Sequence, residues 1–270
     1  MQKLIITVAP TGNVPTKEMT PHVPVTPEEI VRDIVECRQL GASVAHIHAR
    51  DEAGKPTHEK RFFAEILRRL DDKGCSIIRQ ISTGARAGKT PEDRAEALTL
   101  NPDSASLATG SSNFPASANL NEPQLIEFLA KTMLARKIKP ELEIFDSAMI
   151  NNALELQKKG LIKEPLQFNL VLGVKGSLPA TPKNLFFLVE SLPPNSVWSV
   201  SVVGPMHVPL SMIAMALGGH VRVGVEDNIF YSKGKLATNT GLVERIASLA
   251  KAMGREIASP EETKQILGLS

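Results

Sequence analysis

Short runs of apolar and β-branched residues recur along the chain at nearly regular intervals, and each has the length of a buried strand. Between them lie segments with the apolar periodicity of helices. The expected strands are residues 4–8, 43–48, 76–82, 104–108, 141–145, 167–172, 197–202 and 220–225. Strands alternating with helices predict parallel pairing, and eight such units in 270 residues predict closure into an α/β fold of the (β/α)8 TIM-barrel type.

Several predicted helices begin with a capping residue followed closely by proline, which is a specific start signal. These starts lie at Thr26, Thr90, Asn121, Thr181 and Ser259, and the last two helices are expected over 239–253 and 260–267. No break rich in Ser, Gly or Pro divides the chain, so we expect one barrel domain over residues 1–270. The longest irregular stretches, 10–25 and 51–60, each follow a strand, as the catalytic loops of a barrel do.

Composition narrows the class of protein without identifying it. The 31 basic and 29 acidic residues are dispersed and leave a net charge of +2, so no patch suits nucleic acid or anionic lipid. Cys37 and Cys75, the only cysteines, are expected as buried free thiols. The start of the chain lacks the features of a signal peptide, and no apolar run reaches the roughly 18 residues of a membrane span. These features predict a cytoplasmic protein.

The segment Ala45-His46-Ile47-His48 carries the most specific chemical signal. Side chains alternate along a strand, so His46 and His48 project to the same side and can bind one metal ion. The alternative is that hydrogen bonds inside the core satisfy both imidazoles.

Other candidate residues also fall where predicted strands end, which is where a barrel builds its active site. Glu226, after the eighth strand, is the natural third ligand, and the alternative for it is a salt bridge to Arg222. Two imidazoles and one carboxylate favour Zn²⁺, and the lack of a fourth protein ligand points to Lewis-acid catalysis. Strand alternation points Arg222 into the barrel, where it should contact Asp227, Glu143 or a substrate anion.

The segment Ser82-Thr83-Gly84-Ala85 offers hydroxyl and backbone N–H donors for a carboxylate or oxyanion, although ordinary turn chemistry explains it as well. Among the remaining histidines, His22 and His58 are expected in solvated loops, and His220 on the side away from the chemistry. His207, after the seventh strand, could contact substrate.

Three segments resemble those of the β-keto acid cleavage enzyme family, and the resemblance extends over essentially the whole chain. They are His46-Ile47-His48-Ala49-Arg50-Asp51, Gln80-Ile81-Ser82-Thr83-Gly84 and Gly224-Val225-Glu226-Asp227-Asn228. The resemblance implies a zinc-dependent barrel, usually a homotetramer, that converts a β-keto acid and acetyl-CoA into acetoacetate and a new acyl-CoA.

The resemblance also implies a role for each matching residue. By this resemblance, zinc is bound by His46, His48 and Glu226. The base system falls to Asp227 and Arg222, with Glu143 nearby. Substrate contacts fall to Ser82, Gly84, Ala85 and Ser106, where Ser106 replaces a threonine of the family.

One departure from the family bears on specificity. Members that cleave 3-keto-5-aminohexanoate carry a glutamate for the substrate's amino group, where this chain has Val14. A valine cannot pair with an ammonium, so we expect a β-keto acid that has an uncharged or apolar tail, unless Asn13 or a loop residue supplies the contact. Two alternatives stay open: a CoA-independent metal-dependent aldolase or lyase, and a metal-binding barrel without catalysis.

Overall fold

The computed structural model describes residues 2–84, 90–114 and 117–269. Eight parallel strands form a closed barrel in which the last strand pairs with the first. The strands are β1 (Ile6–Val8), β2 (Val44–Ile47), β3 (Ile78–Ile81), β4 (Ser104–Ala108), β5 (Lys139–Ile144), β6 (Gln167–Leu172), β7 (Val197–Val202) and β8 (His220–Val223). The (β/α)8 barrel and each of its predicted strands are confirmed.

The helices surround the barrel, except that the last one places Leu267 against Ile5, Val44, Ile78 and Val197 at the amino ends of the strands. They are α1 (Pro27–Gln39), α2 (Lys60–Asp72), α3 (Pro91–Glu96), α4 (Pro123–Ala135), α5 (Ala148–Lys158), α6 (Pro182–Ser191), α7 (His207–Ala216), α8 (Asn239–Ala252) and α9 (Pro260–Leu267). Thr26, Thr90, Thr181 and Ser259 cap their helices as expected. The cap expected at Asn121 is wrong: Glu122 takes that position, while the Asn121 side chain accepts a bond from Arg94.

Two-stranded ribbons lengthen three loops at the carboxyl ends of β2, β4 and β8. They pair Ala49–Arg50 with Pro56–Thr57, Ser112–Asn113 with Ala118–Asn119, and Phe230–Ser232 with Lys235–Leu236. Because carboxyl-end loops build the functional face of a barrel, these ribbons raise the walls around any site there.

Strand alternation separates an apolar outer layer from a polar interior. Outward side chains such as Ile47, Ile81, Leu107 and Leu142 are fully or almost fully buried against the helices. The register places inward polar residues beside one another around the barrel: His46 beside Gln80, Gln80 beside Ser104, Ser106 beside Glu141, Glu143 beside Asn169, and Ser201 beside Arg222. Hydrogen bonds such as that from Ser201 Oγ to Asn169 Oδ1, 2.8 Å, satisfy this interior.

In the part of the chain that the structure describes, no helix combines the length and apolarity needed to cross a bilayer.

Candidate active site

His46 and His48 lie together at the carboxyl end of β2, with Glu226 facing them from the loop after β8. Their Nε2 atoms are 3.2 Å apart, and Glu226 Oε1 lies 3.4 Å from His48 Nε2 and 3.8 Å from His46 Nε2. Ligand atoms from all three residues fall within 4.8 Å of one another. Strand alternation therefore does bring both imidazoles to one carboxylate.

Neighbouring groups orient these three side chains. Gln80 Oε1 lies 2.7 Å from His46 Nδ1, so the amide oxygen can accept the proton there and leave Nε2 free to bind a ligand. Gly12 lies directly against Glu226, since a Cβ added to Gly12 would come within 2.4 Å of Glu226 Cγ. The loop after β8 is also anchored, because the Val225 N–H donates to Asn239 Oδ1 at 2.8 Å.

The cluster has the donor atoms of a divalent metal site and a carboxylate oxygen without a hydrogen-bond partner among the described residues. Glu226 Oε2 is buried and has no hydrogen-bond partner among the described residues, which is costly for a carboxylate oxygen unless a cation is bound there. Two imidazole nitrogens and one carboxylate oxygen are also the ligands of catalytic zinc sites. The residues therefore fit a divalent metal ion.

Arg222 links the cluster of His46, His48 and Glu226 to two further acids. Its Nε and Nη2 donate to the two carboxylate oxygens of Asp227, both at 3.0 Å, and Nη2 also donates to Glu226 Oε1 at 2.6 Å. Its Nη1 lies 3.7 Å from Glu143 Oε1. Both alternatives for Arg222 thus occur together: it pairs with Glu226 and also contacts Asp227 and Glu143.

Burial and these charges set the protonation of the site. Burial followed by the Arg222 charge lowers the pKa of His46 to about 3, so the ring is neutral and able to bind a cation. Burial raises the pKa of Glu143 to about 7, although Arg222 opposes it. Burial acts in the same direction on Glu226, but Arg222 and the imidazoles outweigh it and hold that pKa well below its usual range. Burial raises the pKa of Asp227, with Arg222 opposing.

A central cavity of about 790 Å³ opens above this cluster. His46, His48, Arg222, Glu226 and Asp227 form its floor. Apolar side chains of its wall are Val14, Met19, Phe114, Phe145, Val171 and Val174, and the polar residues Asn13, Asn119 and Lys175 also line it. Val14 is half exposed, at 51%. The cavity therefore combines a charged floor with room for an apolar group.

The Ser82-Thr83-Gly84 turn reaches the same cavity, but Ser106, which was also expected to contact the substrate, does not. Ser82 and Gly84 line the cavity. Ser106 is fully buried beneath the turn, where its Oγ accepts a hydrogen bond from the Thr83 N–H at 3.2 Å. It supports the turn and does not line the cavity. Ala85 lies outside the described residues.

The expectation of a solvated His58 is wrong. Only 4% of His58 is exposed, and its Nε2 lies 2.7 Å from the Gly84 carbonyl oxygen. Burial lowers the pKa of this imidazole to about 4, so it is neutral and can donate to that carbonyl. The ribbon between Ala49–Arg50 and Pro56–Thr57 brings His58 back under the turn, which no local sequence signal indicates.

His207 and His220 lie away from the cluster of His46, His48 and Glu226. His220 is buried, and its Nδ1 accepts from the Ile5 N–H at 3.0 Å; it lies two residues before Arg222 on β8, on the side away from the chemistry as expected. His207 lines a separate side cavity of about 810 Å³, whose wall also includes Asp227.

Sequence reasoning overlooked several residues that complete the site. Gln80 could have been found, because it lies two residues before Ser82 on the same strand face. Gly12 could not, since its proximity to Glu226 depends on closure of the barrel between β1 and β8. Asn13, which the sequence offered only as an alternative contact for an amino group, lines the cavity with its buried Oδ1 unpartnered among the described residues.

The fold and the site define the class: a (β/α)8 barrel enzyme with a possible His-His-carboxylate metal site at the carboxyl ends of its strands. Residues 3–269 match the family model described as beta-keto acid cleavage enzyme, and the chain belongs to this family. The resemblance inferred from its motifs is thereby confirmed.

Relatives and solved structures agree with this membership. The chain is 43% identical to the 3-keto-5-aminohexanoate cleavage enzyme of Acetoanaerobium sticklandii, with 100% of both chains covered. It is 38% identical to the 3-oxoadipate:acetyl-CoA acetyltransferase of Cupriavidus necator, covering 99% of this chain and 95% of the relative. The ternary complex of ObcA with C4-CoA adduct and oxalate superposes with a TM-score of 0.76 at 20% identity, over 92% of this chain and 68% of ObcA, which shows a shared fold.

Proposed function

We propose that this enzyme is a zinc-dependent β-keto acid cleavage enzyme that uses acetyl-CoA and releases acetoacetate and a new acyl-CoA. The observation that carries the proposal is the joint presence of two elements on one cavity floor: the cluster of His46, His48 and Glu226, and the Arg222-oriented carboxylate of Asp227. The cluster can hold a cation that binds an electron-rich oxygen, and the carboxylate can accept a proton from a neighbouring carbon.

A divalent cation held by His46, His48 and Glu226 would supply a Lewis acid for the oxygens of the β-keto acid. The chain's own groups then have separate tasks. Asp227 accepts the proton from the carbon between the carboxylate and the ketone, and its bidentate pairing with Arg222 fixes the direction of the carboxylate. Ser82 and Gly84 line the cavity near the floor, where hydroxyl and backbone groups can hold the substrate's oxygens.

The remaining bond changes balance without any further reagent. The deprotonated carbon forms a bond to the acetyl carbonyl, and the CoA thiolate leaves. That thiolate adds to the former ketone carbon, and the bond between this carbon and the acidic carbon breaks. The acyl group departs on CoA, and the acetoacetate carbanion regains a proton. Glu143, 3.7 Å from Arg222 Nη1, is the nearby acid that can share in these proton transfers.

We assign to the substrate an uncharged or apolar tail. Val14 lines the cavity together with Met19, Phe145 and Val171, and none of these four apolar side chains can pair with an ammonium. Arg50 fixes this segment, since its Nη2 donates to the Pro15 carbonyl oxygen at 2.9 Å. Acetyl-CoA appears in the name of the relative from Cupriavidus necator, which supports its use as co-substrate here. Zinc as the metal, a homotetrameric assembly and a cytoplasmic location stay predictions.

A substrate panel tests the proposal. The purified protein is supplied with zinc and with β-keto acids that carry an alkyl tail, a 5-amino group or a second carboxylate, with and without acetyl-CoA, and products are read by mass spectrometry. We expect acetoacetate and the matching acyl-CoA from the alkyl substrate, only with acetyl-CoA.

Each alternative has its own outcome in the same panel. Equal turnover without acetyl-CoA would establish the CoA-independent aldolase or lyase. A full complement of metal without product from any acid would establish a binding protein. A preference for the dicarboxylate would contradict the apolar tail and assign the tail's end to Lys175, which lines the cavity.

A further inference from the structure

The side cavity is as large as the central cavity and meets it at the proposed base. Their volumes are about 810 and about 790 Å³, and Val203, Asp227 and Ile229 line both. Asp227 therefore lies where the two cavities meet. A reaction that joins a small acid to a group delivered by a long carrier needs two such approaches to one point.

The wall of the side cavity is largely apolar near Asp227. Val203, Val208, Ile229 and Phe230 contribute to it, and His207 at the start of α7 adds an imidazole. Burial, aided by the Arg245 charge, lowers the pKa of His207, so this ring is neutral and can exchange hydrogen bonds with an uncharged group. Such a surface suits a chain of methylene and amide groups.

Cationic side chains mark the part of the side cavity formed by the ribbon after β8. Lys233 and Arg245 line it, and Asp227 is the one carboxylate among the described lining residues. The Arg245 guanidinium lies 3.1 Å from the centre of the Tyr231 ring and donates to the Tyr231 carbonyl oxygen at 2.9 Å, which holds the ribbon on α8. Lys235 Nζ lies 4.9 Å from the centre of the same ring. Cations on a fixed ribbon are suited to phosphate groups.

We propose that the side cavity binds the CoA carrier of the reaction. The thioester lies at Asp227, the pantetheine arm follows the apolar wall past Val208, and the phosphates lie at the ribbon beside Lys233. This inference rests on the proposed function, because it supplies the binding site for the co-substrate named there. The walls of this cavity combine one carboxylate, apolar side chains and two cations, which suit the thioester, the pantetheine arm and the phosphates of an acyl-CoA.

Binding of CoA to the metal-loaded protein, measured by isothermal titration calorimetry, tests the assignment without turnover. Val208→Trp should fill the apolar part of the cavity and weaken CoA binding at least about tenfold. Its matched control is Met212→Trp, which enlarges an exposed residue on the same helix that does not line the cavity. Lys233→Glu reverses one exposed charge and should weaken CoA more than it weakens dephospho-CoA, by up to about tenfold at low salt.

Steady-state kinetics then separate the two substrates. Both variants should raise the KM for acetyl-CoA and leave the metal content and the KM for the β-keto acid unchanged. Wild-type affinity in both Val208→Trp and Lys233→Glu would overturn the side cavity as the CoA site and leave the proposed function standing; it is also the result expected if a second copy of the chain covers this cavity. A wild-type protein that neither binds CoA nor depends on acetyl-CoA would overturn both proposals together. Lys233 is exposed, so its variant decides the question even if Val208→Trp fails to fold.

Discussion

Arg222 donates two parallel hydrogen bonds to Asp227, from Nε to Oδ2 and from Nη2 to Oδ1, each 3.0 Å long. A bidentate pair of this kind fixes the plane of the carboxylate as well as its position. The same guanidinium holds Glu226 Oε1 at 2.6 Å, so one side chain positions both the proposed base and a proposed metal ligand.

Asp227→Asn should separate proton transfer from metal binding at the floor of the cavity. The amide keeps the size of the side chain but cannot accept a proton, so we expect turnover to fall about 100-fold or more while folding and metal content stay normal. Elemental analysis and initial rates measure the two effects. Activity close to that of the wild type would remove Asp227 as the base. Glu226→Gln is the matched comparison, because it should lose metal as well as activity.

Gly12→Ala should weaken metal binding, although Gly12 offers no ligand. Its φ is +61°, and a new Cβ would come within 2.4 Å of Glu226 Cγ, so the carboxylate must move. We expect at least about a tenfold loss of metal affinity, within the range seen when groups that orient ligands are changed. The control is Gly54→Ala, where φ is +74° but no atom lies within 4 Å of the added Cβ. Equal metal affinity in both variants would contradict this packing role.

Val14→Glu should shift the enzyme toward substrates with a 5-amino group. The new carboxylate would stand in the cavity wall and could pair with the ammonium. We expect the ratio of kcat/KM for the 5-amino acid over the alkyl acid to rise about tenfold or more. Val14→Gln is the matched control, since it has the same size without the charge. An unchanged ratio in Val14→Glu would show that Val14 does not contact the substrate's tail.

His220 should make the protein less stable as the pH falls. Burial, aided by Arg255, lowers the pKa of His220 to about 3 from its ordinary value of 6.5, so the folded state keeps the ring neutral while the unfolded chain binds a proton. The stabilising contribution is therefore complete above pH 6.5 and is lost as the pH falls toward 3. Protonation of His220 in the unfolded chain should lower the free energy of unfolding by about 2 kcal/mol between pH 7 and pH 5.

The comparison of wild type with His220→Asn isolates this effect in urea unfolding at several pH values. An asparagine oxygen can still accept from the Ile5 N–H, but the residue does not titrate. The wild type should lose about 2 kcal/mol more than His220→Asn between pH 7 and pH 5. The same loss in both proteins would contradict the assignment. The exposed His22→Asn serves as the control and should behave as the wild type does.

The barrel could be predicted from the sequence because its signals are local. The run Gln167–Leu172 is a strand by composition, and Thr26 with Pro27 marks the start of α1. The approach of His46 to His48 is also local, since it follows from alternation along β2 and the residue after it.

What could not be predicted depends on closure of the barrel and on the course of its loops. Gly12 and Glu226 are far apart in sequence and meet because β1 pairs with β8. The ribbon that returns His58 to the Gly84 carbonyl has no signature in the sequence, so a buried imidazole looked like a solvated one. Ser106 matched the family by position, and only the register of β4 places it beneath the turn.

In the proposed reaction acetyl-CoA supplies half of the acetoacetate carbons, and isotopic labelling measures this contribution. Zinc-loaded enzyme is incubated with acetyl-CoA that carries ¹³C in both acetyl carbons and with an unlabelled β-keto acid bearing an alkyl tail. We expect acetoacetate labelled at carbons 3 and 4, together with an unlabelled acyl-CoA from the tail of the acid. Unlabelled acetoacetate, or the same products in the absence of acetyl-CoA, would contradict it.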